Sequence, residues 1–252
     1  MPDIARVQVF DSQGEAYYQA FHVFLEHTDQ KINARRWLDD FLKRLPQRRV
    51  FIDAGAGTGQ TTAWLSEQFE RTIAIEPNPS LNAELKRTCP QAEVLGQTIL
   101  QANPSARGDF VLCAHVLYYI DRPQWLPHAT TMASWLAEKG TLIIILQNHE
   151  TDCMRMLDTF LGQRFDLAAL AKEFEEKHCN EYAVERHLVP AQVTTPDLAT
   201  AYVIAEFMLN LLPMSGPPAR SAVEDYIAKH FRQPDGGFRF SCHQDFLTIR
   251  RR

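Results

Sequence analysis

A glycine-rich segment that follows a buried apolar run is the most informative part of this sequence. Val50–Asp53 is apolar and ends in a carboxylate, and three glycines follow at alternate positions, Gly55, Gly57 and Gly59. Glycine lets the backbone turn tightly and approach a ligand without interference from a Cβ atom. The pattern therefore predicts a strand, a ligand-binding turn and a helix, in that order.

A second carboxylate, Glu76, ends the next apolar run, 21 positions after Gly55. Because parallel strands end at the same edge of a sheet, we expect Glu76 beside the glycine-rich turn, where a carboxylate can accept both hydroxyls of a ribose. A dinucleotide-binding turn has the spacing G-x-G-x-x-G, which would require a third glycine where Gln60 stands. The spacing therefore argues against a nicotinamide-dependent oxidoreductase, as does the lack of a catalytic Tyr-x-x-x-Lys.

The elements that position these residues alternate along the chain from Arg49 onward. Short apolar runs predict strands, and the amphipathic runs between them predict helices. This alternation indicates parallel strands with right-handed crossovers, which is an α/β fold with helices on both faces of the sheet. The predicted strands are Val50–Asp53, Thr72–Glu76, Glu93–Leu95, Asp109–His115 and Gly140–Gln147, and the helices are Thr61–Phe69, Ser80–Thr88 and Pro123–Glu138.

The two ends of the chain have a different pattern. Helical periodicity covers residues 15–44, and beyond Asn148 further helices, an alternating stretch and a terminal strand pair are predicted. We expect one domain, in which residues 1–45 form an N-terminal helical lid, 46–150 the cofactor-binding core, and 151–252 the substrate-side helices and terminal strands. The later elements are predicted at Thr151–Leu161, Asp166–Lys177, Tyr182–Val193, Pro196–Leu212 and Phe238–Arg250.

The Asp53-x-Gly55-x-Gly57-x-Gly59 pattern, followed by Glu76 and by the strand Gly108–Val111, resembles the class I S-adenosylmethionine-dependent methyltransferases. The resemblance implies a Rossmann-like sheet of seven mostly parallel strands with an antiparallel C-terminal strand, and S-adenosylmethionine as the cofactor. It places these residues around the cofactor: Asp53, Gly55, Gly57, Gly59, Glu76, Pro77, Leu81, Gln97, Thr98 and Ala114. Leu81 would pack on the adenine, and Gln97 stands where many members have an acidic residue.

A closer resemblance, collinear over nearly the whole chain, is to histamine N-methyltransferase and its bacterial relatives. The similar segments are Tyr17–Phe21, Phe24–Thr28, Val116–Ile120, Leu142–Ile145 and Phe246–Ile249. The family's substrate-holding side chains fall on Gln30, His115 and Cys242, and all three differ from the family's residues. Losing the acidic residue at Gln30 removes the counter-ion for a substrate ammonium, although Glu26 offers a carboxylate one turn away. The fold analogy therefore transfers, whereas histamine does not.

The expected acceptor is a nitrogen of a small amine, imidazole or amino-acid-like metabolite. We expect His115 and Tyr17 to act in catalysis. The expected substrate-binding residues are Tyr18, Phe21, Gln30, Tyr118, Tyr119, Cys242 and His243. Tyrosine faces suit a flat heterocycle or a cationic amine. A nitrogen acceptor needs only its unprotonated form, whereas a hydroxyl acceptor would need His115 as a base, so small-molecule O-methylation is the alternative.

Charge and composition favour a small-molecule substrate. The chain carries 26 basic and 31 acidic residues, a net charge of −5, whereas proteins that bind nucleic acid usually have a basic surplus. A nucleic-acid or protein methyltransferase would also show an N/D-P-P-Y/F element where Cys113–Val116 stands. A non-catalytic subunit that binds S-adenosylmethionine is a further alternative.

Other features predict the protein's surroundings. The five cysteines form no C-x-x-C pair, so we expect neither a metal nor a disulfide framework. The first six residues lack the basic and apolar regions of a signal peptide, and no apolar run is long enough to span a bilayer. We therefore expect a cytoplasmic protein without membrane or nucleic-acid partners, as a monomer or weak homodimer.

Overall fold

A computed structural model describes residues 5–11, 14–163, 165–212, 214 and 216–252. The first four residues, which enter the prediction of location, lie outside this range. The described chain divides into two compact units. The first unit contains Met1–Asp39, Gln147–Phe165 and Leu188–Gln244, and the second contains Asp40–Leu146, Asp166–His187 and Asp245–Arg252. The single-domain organisation stays a prediction.

A seven-stranded sheet in the order β3-β2-β1-β4-β5-β9-β6 forms the centre of the second unit. Its strands are β1 (Val50–Ala54), β2 (Arg71–Ile75), β3 (Glu93–Leu95), β4 (Gly108–Ala114), β5 (Leu136–Gln147), β6 (Tyr182–Val189) and β9 (Gln244–Arg251). The pairs β1–β2, β1–β4, β2–β3 and β4–β5 are parallel. The predicted α/β fold with a mostly parallel sheet is confirmed.

The last strand runs against β5. At one end the Asn148 N–H donates to the His243 carbonyl oxygen at 2.8 Å, and at the other end Arg251 Nη1 donates to the Leu136 carbonyl oxygen at 3.3 Å. Residue numbers therefore rise along one strand as they fall along the other, which defines an antiparallel pair. The predicted antiparallel C-terminal strand is thus present in the sheet.

Helices connect the strands of the second unit. They are α3 (Gln60–Ser66), α4 (Pro79–Thr88), α5 (Trp125–Ser134) and α7 (Leu167–His178), and short 3₁₀ turns lie at Leu117–Tyr119 and Arg122–Gln124. The core contains stacked aromatic rings, with Phe51 and Phe69 at 5.6 Å and 6.0 Å from the Phe110 ring centroid. At the start of β4, the Asp109 carboxylate accepts the Val50 N–H and the Arg49 N–H, which fastens β4 to the start of β1.

The predicted helix Pro123–Glu138 is wrong at its C-terminal end. The helix ends at Ser134, and Leu136 already pairs with Gly108 as the first residue of β5. A register shift between Gly108 and Phe110 accommodates the extra residues, and Lys139 takes a left-handed φ of 62° there. Leu136 fits a helical periodicity as well as a strand, and pairing with β4 decides between them.

The first unit is mainly helical. It contains α1 (Glu15–His27), most of α2 (Gln30–Leu42), α6 (Asp152–Leu161), α8 (Leu198–Leu209) and α9 (Arg220–His230), with a two-stranded antiparallel sheet of β7 (Gln192–Thr195) and β8 (Phe238–Ser241). The rings of Tyr17, Phe21 and Phe24 lie 5.3–5.6 Å from Phe207. Aromatic packing thus joins α1 to α8.

Two features of this unit differ from the sequence prediction. The strands of the predicted terminal pair lie in different sheets, because β8 pairs with β7 and β9 joins the large sheet. Helix α9 was not predicted, and its sequence offers only Val223 and Ile227 as buried positions. With two buried positions in 11 residues, most of this helix lies at the surface, where side chains need not follow an apolar period. Within the described residues, no helix has both the length and the apolarity to span a membrane.

Candidate functional site

The turn after β1 is left-handed at all three of its glycines. Gly55, Gly57 and Gly59 have φ angles of 87°, 57° and 86°, a region that L side chains rarely adopt. The Gly55 and Ala56 N–H groups donate to the Ile75 carbonyl oxygen at 2.8 Å and 3.0 Å. The turn is therefore tied to the last residue of β2.

The three glycines differ in what surrounds them. A Cβ on Gly55 would lie 2.4 Å from Val116 Cγ2, and one on Gly59 would lie 2.7 Å from Leu85 Cδ1. At Gly57 no other atom lies within 4 Å of that position. Two glycines therefore permit close packing inside the protein, whereas Gly57 leaves a space that a side chain would fill and a ligand can enter.

Glu76 borders this space. One carboxylate oxygen accepts the Gly57 N–H at 2.9 Å and the other accepts the Asn78 N–H at 2.8 Å. Each oxygen of a carboxylate can accept a further hydrogen bond, so the Glu76 carboxylate remains able to accept a pair of ribose hydroxyls. The open position at Gly57, beside the two carboxylate oxygens of Glu76, fits a nucleoside-containing cofactor.

Asp53, at the end of β1, is held differently. Its carboxylate is only 3% exposed and accepts the Thr62 hydroxyl of α3 at 2.6 Å. Burial is the main effect that raises the pKa of Asp53 to about 6. The negative charge of Glu76 raises it a little further, and the hydrogen bond from Thr62 partly offsets these two effects. The observed contact of Asp53 is with α3, and its role toward the cofactor stays a prediction.

The other predicted cofactor residues lie around the ends of β2 to β4. Leu81 is half-buried in the first turn of α4, which Asn78 caps by accepting the Ser80 and Leu81 N–H groups. Pro77, Gln97 and Thr98 are exposed, and Ala114 is half-buried at the end of β4. The Thr98 hydroxyl donates to Gln101 Oε1 at 3.0 Å. Contacts of these residues with the adenine stay predictions.

His115 directly follows β4. Its backbone φ is 61°, its N–H donates to the Ile145 carbonyl oxygen at 3.0 Å, and its Nδ1 lies 3.4 Å from Tyr118 Oη. The two rings are nearly parallel, with an interplanar angle of 16° and centroids 5.8 Å apart. Tyr119 is 64% exposed. Because Val116 packs on Gly55, the segment that carries His115 lies against the glycine-rich turn.

In the first unit the structure brings Gln30 and Cys242 together. Gln30 is buried and its Nε2 donates to the Cys242 carbonyl oxygen at 2.9 Å. A carboxylate could not donate this bond, which gives a physical reason for an amide at this position. Burial raises the pKa of the Cys242 thiol to about 12, against a hydrogen bond with Thr28, so Cys242 is a neutral thiol at physiological pH.

His243 and the α1 residues complete the predicted substrate set. His243 Nδ1 lies 2.9 Å from the Ala191 nitrogen and 2.8 Å from its carbonyl oxygen. Tyr17 is 9% exposed within the aromatic packing on Phe207, whereas Tyr18 and Glu26 are exposed and Phe21 is half-buried. A catalytic role for Tyr17 and a lid role for α1 stay predictions.

Three residues that contact Glu76, Asp53 or the glycine-rich turn were not among the predicted site residues. Asn78 and Thr62 bind the carboxylates of Glu76 and Asp53, and Val116 packs on Gly55. Only Asn78 carries a clear signal, since an asparagine directly before Pro79 is typical of a helix N-cap. In the described part of the chain, no group of three or more His, Cys, Asp or Glu side chains could hold a metal ion.

Solved structures with a similar fold are numerous and distant in sequence. The YcgJ protein of Bacillus subtilis is 11% identical, with a TM-score of 0.59 over 86% of this chain and 99% of that chain. A putative methyltransferase of Bacillus halodurans is 11% identical, with a TM-score of 0.57 over 94% and 99%. The N-methyltransferase NodS of Bradyrhizobium japonicum, in complex with S-adenosyl-L-homocysteine, is 16% identical, with a TM-score of 0.53 over 94% and 98%.

Among curated protein sequences, none matches this chain significantly. A family model described as a methyltransferase domain matches residues 24–190, which is well over half of the chain. This match includes the glycine-rich turn, Glu76 and His115. The chain therefore belongs to the methyltransferase-domain family.

Proposed function

We propose that this protein transfers a methyl group from S-adenosylmethionine to a nitrogen of a small amine, imidazole or amino-acid-like metabolite. The observation that carries the proposal is the pairing of an open position at Gly57 with the Glu76 carboxylate, against which the His115 segment packs through Val116 and Gly55. The residues proposed to bind the methyl donor and the side chain proposed to bind the acceptor therefore lie in one continuous part of the fold.

The cofactor side of the proposal assigns each residue a physical role. Glu76 would accept the ribose hydroxyls, the open backbone at Gly57 would admit the cofactor's polar part, and Leu81 would pack on the adenine. When bound, S-adenosylmethionine supplies a methyl group on a positively charged sulfur. The residues of the site would accelerate transfer mainly by holding the acceptor atom about 3 Å from the methyl carbon where little water is present.

The acceptor side depends on the residues that follow β4. An amine or imidazole nitrogen attacks through its lone pair, so the site must hold the unprotonated form and need not remove a proton before attack. His115 offers a ring nitrogen to orient the acceptor, and the neighbouring rings of Tyr118 and Tyr119 offer faces for a flat heterocycle or a cation. The collinear resemblance to histamine N-methyltransferase supports a nitrogen acceptor, although Gln30 argues against histamine.

The imidazole of His115 also favours a second candidate function, methylation of a hydroxyl group. The similar family has an amide at this position, which cannot act as a base, whereas imidazole can remove the hydroxyl proton. His115→Gln separates the two functions. A base should lose about 10²-fold or more in kcat together with the acidic limb of its pH profile, whereas an orienting residue should change mainly KM.

Turnover of the purified protein tests the proposal directly. Methyl-labelled S-adenosylmethionine is incubated with separate pools of amines, imidazoles and hydroxyl compounds, and label is followed into products, with Glu76→Ala as the matched control. We expect label in a nitrogen compound and little with Glu76→Ala. Calorimetric binding of S-adenosylmethionine without transfer to any pool would contradict catalysis and favour a non-catalytic subunit, and transfer only to hydroxyl compounds would favour the second function.

A further inference from the structure

His115 has an unusual backbone conformation for its residue type. Its φ is 61°, and among the described non-glycine residues only Lys139 shares a positive φ. The left-handed region is unfavourable for an L residue and is retained where neighbouring structure enforces it. Here the His115 N–H bond to the Ile145 carbonyl oxygen and the packing of Val116 on Gly55 fix the backbone on both sides of the ring.

The conformation brings the His115 ring to Tyr118. The 3₁₀ turn Leu117–Tyr119 places the phenol oxygen 3.4 Å from His115 Nδ1, with the two rings nearly parallel. Beyond the turn, the Trp125 indole N–H donates to the Ile120 carbonyl oxygen at 2.8 Å. The turn is therefore anchored at both ends, and the contact between the two side chains follows from the fold of the segment.

We propose that Tyr118 is a positioning residue that accepts a hydrogen bond from His115 Nδ1–H. A neutral imidazole carries one ring proton, so fixing that proton on Nδ1 leaves a lone pair on Nε2. This inference rests on the proposed function, in which the acceptor is an amine or imidazole that bears an N–H group. Such an N–H donates to Nε2, whereas a ring with its proton on Nε2 would repel it.

The same arrangement handles the proton that the reaction releases. As the acceptor nitrogen forms its bond to the methyl carbon and the bond from that carbon to sulfur breaks, the acceptor becomes positively charged. Only after the methyl transfer is complete does its N–H proton pass to His115 Nε2, so His115 does not act as a base in the transfer step, and the resulting imidazolium still donates from Nδ1 to the Tyr118 oxygen. Tyr118 therefore favours amine and imidazole acceptors that carry an N–H group over those that carry none.

Nitrogen NMR of histidine-labelled protein tests this inference without any turnover. The ring ¹⁵N shifts of His115, assigned with His115→Gln, distinguish the two neutral forms. We expect the Nδ1–H form in the wild type and a shift toward Nε2–H, the form that neutral histidine favours in water, in Tyr118→Phe. Tyr119→Phe is the matched control and should leave these shifts unchanged. A wild-type ring in the Nε2–H form, or the same form in wild type and Tyr118→Phe, would overturn the inference.

Kinetics then separate this inference from the proposed function. We expect Tyr118→Phe to raise the acceptor KM by about tenfold, with a smaller change in kcat and an unchanged unfolding midpoint, because the hydroxyl that orients His115 is lost while the ring is retained. A protein with the expected NMR shifts that methylates no nitrogen compound would refute the proposed acceptor and support the positioning contact. An active enzyme in which Tyr118→Phe leaves the ring ¹⁵N shifts of His115 unchanged would refute the positioning contact alone.

Discussion

The Glu76 contact with the glycine-rich turn and the Gln30 contact of the first unit join residues at very different separations along the chain. Glu76 accepts the N–H of Gly57, 19 positions away, and the two residues lie on neighbouring strand ends. Gln30 donates to a carbonyl 212 positions away, at Cys242. At the first site backbone geometry sets the positions of the groups, whereas at the second the side chains of Gln30 and Thr28 join distant segments by their hydrogen bonds to Cys242. Substitutions should therefore be far more damaging at the first site.

Replacement of Gly55 is expected to have the largest effect. Gly55→Ala places a Cβ 2.4 Å from Val116 at a φ of 87°, so either the turn or the His115 segment must move. We expect a loss of roughly 2–4 kcal/mol in unfolding free energy and greatly weakened cofactor binding, measured by urea unfolding and calorimetry. Gly162→Ala is the control, because its φ is 66° but its Cβ would meet nothing within 4 Å. Equal losses in the two variants would show that φ strain, and not the contact with Val116, controls the turn.

Removal of the Glu76 carboxylate should act on affinity. Glu76→Ala deletes the acceptor of the Gly57 and Asn78 N–H groups and, in the proposed role of Glu76, of the ribose hydroxyls. We expect S-adenosylmethionine to bind at least about tenfold more weakly, since hydrogen bonds to a charged group contribute roughly 1.5–3 kcal/mol. Calorimetry measures this, with Glu70→Ala, an exposed carboxylate just before β2, as the control. Unchanged affinity in a folded Glu76→Ala protein would refute the assignment of Glu76 to the ribose hydroxyls.

The buried Asp53 should make stability depend on pH. Its folded-state pKa of about 6 lies above the ordinary value of 3.8, so between about pH 4 and pH 6 the unfolded chain ionises while the folded chain keeps its proton. Stability therefore falls as pH rises through this window, by about 1–3 kcal/mol in total. Asp53→Asn keeps an acceptor for Thr62 and removes the ionisation.

Urea unfolding at pH 5 and pH 8 checks this expectation. The advantage of Asp53→Asn over the wild type should be larger at pH 8 than at pH 5. An advantage that does not depend on pH would show that ionisation of Asp53 is not its source. Thr62→Val, which removes the hydrogen bond that lowers the pKa of Asp53, should have the opposite effect and reduce stability most at pH 8.

The smallest effect is expected at Gln30. Gln30→Ala removes one hydrogen bond and should lower the unfolding free energy by about 1 kcal/mol without changing cofactor affinity. Gln30→Glu should be worse than Gln30→Ala, because a buried carboxylate would face the Cys242 carbonyl oxygen with no hydrogen to donate. A Gln30→Glu protein as stable as the wild type would contradict this account of the amide.

The sequence predicts features that depend on neighbouring residues better than features that depend on residues far apart in the chain. The strands β1 to β4 and the turn at Gly55 follow from patterns within a few residues, so the sequence predicts them closely. The early start of β5 at Leu136 and the separation of β8 from β9 depend on pairing with other strands, which local periodicity does not report. Gln30 and Cys242 were both predicted to bind substrate only through a family resemblance, and no local pattern predicts their contact.

The hydrogen bond from the Gly57 N–H to Glu76 has a consequence for the kinetics of cofactor exchange. The carboxylate is already oriented by two backbone N–H groups, so its rotamer freedom is lost during folding and not again at each encounter with a ligand. Association should then need no loop reordering at Glu76 and approach the rate of a simple docking event. Release of the demethylated cofactor should likewise require no rearrangement of the Glu76 side chain.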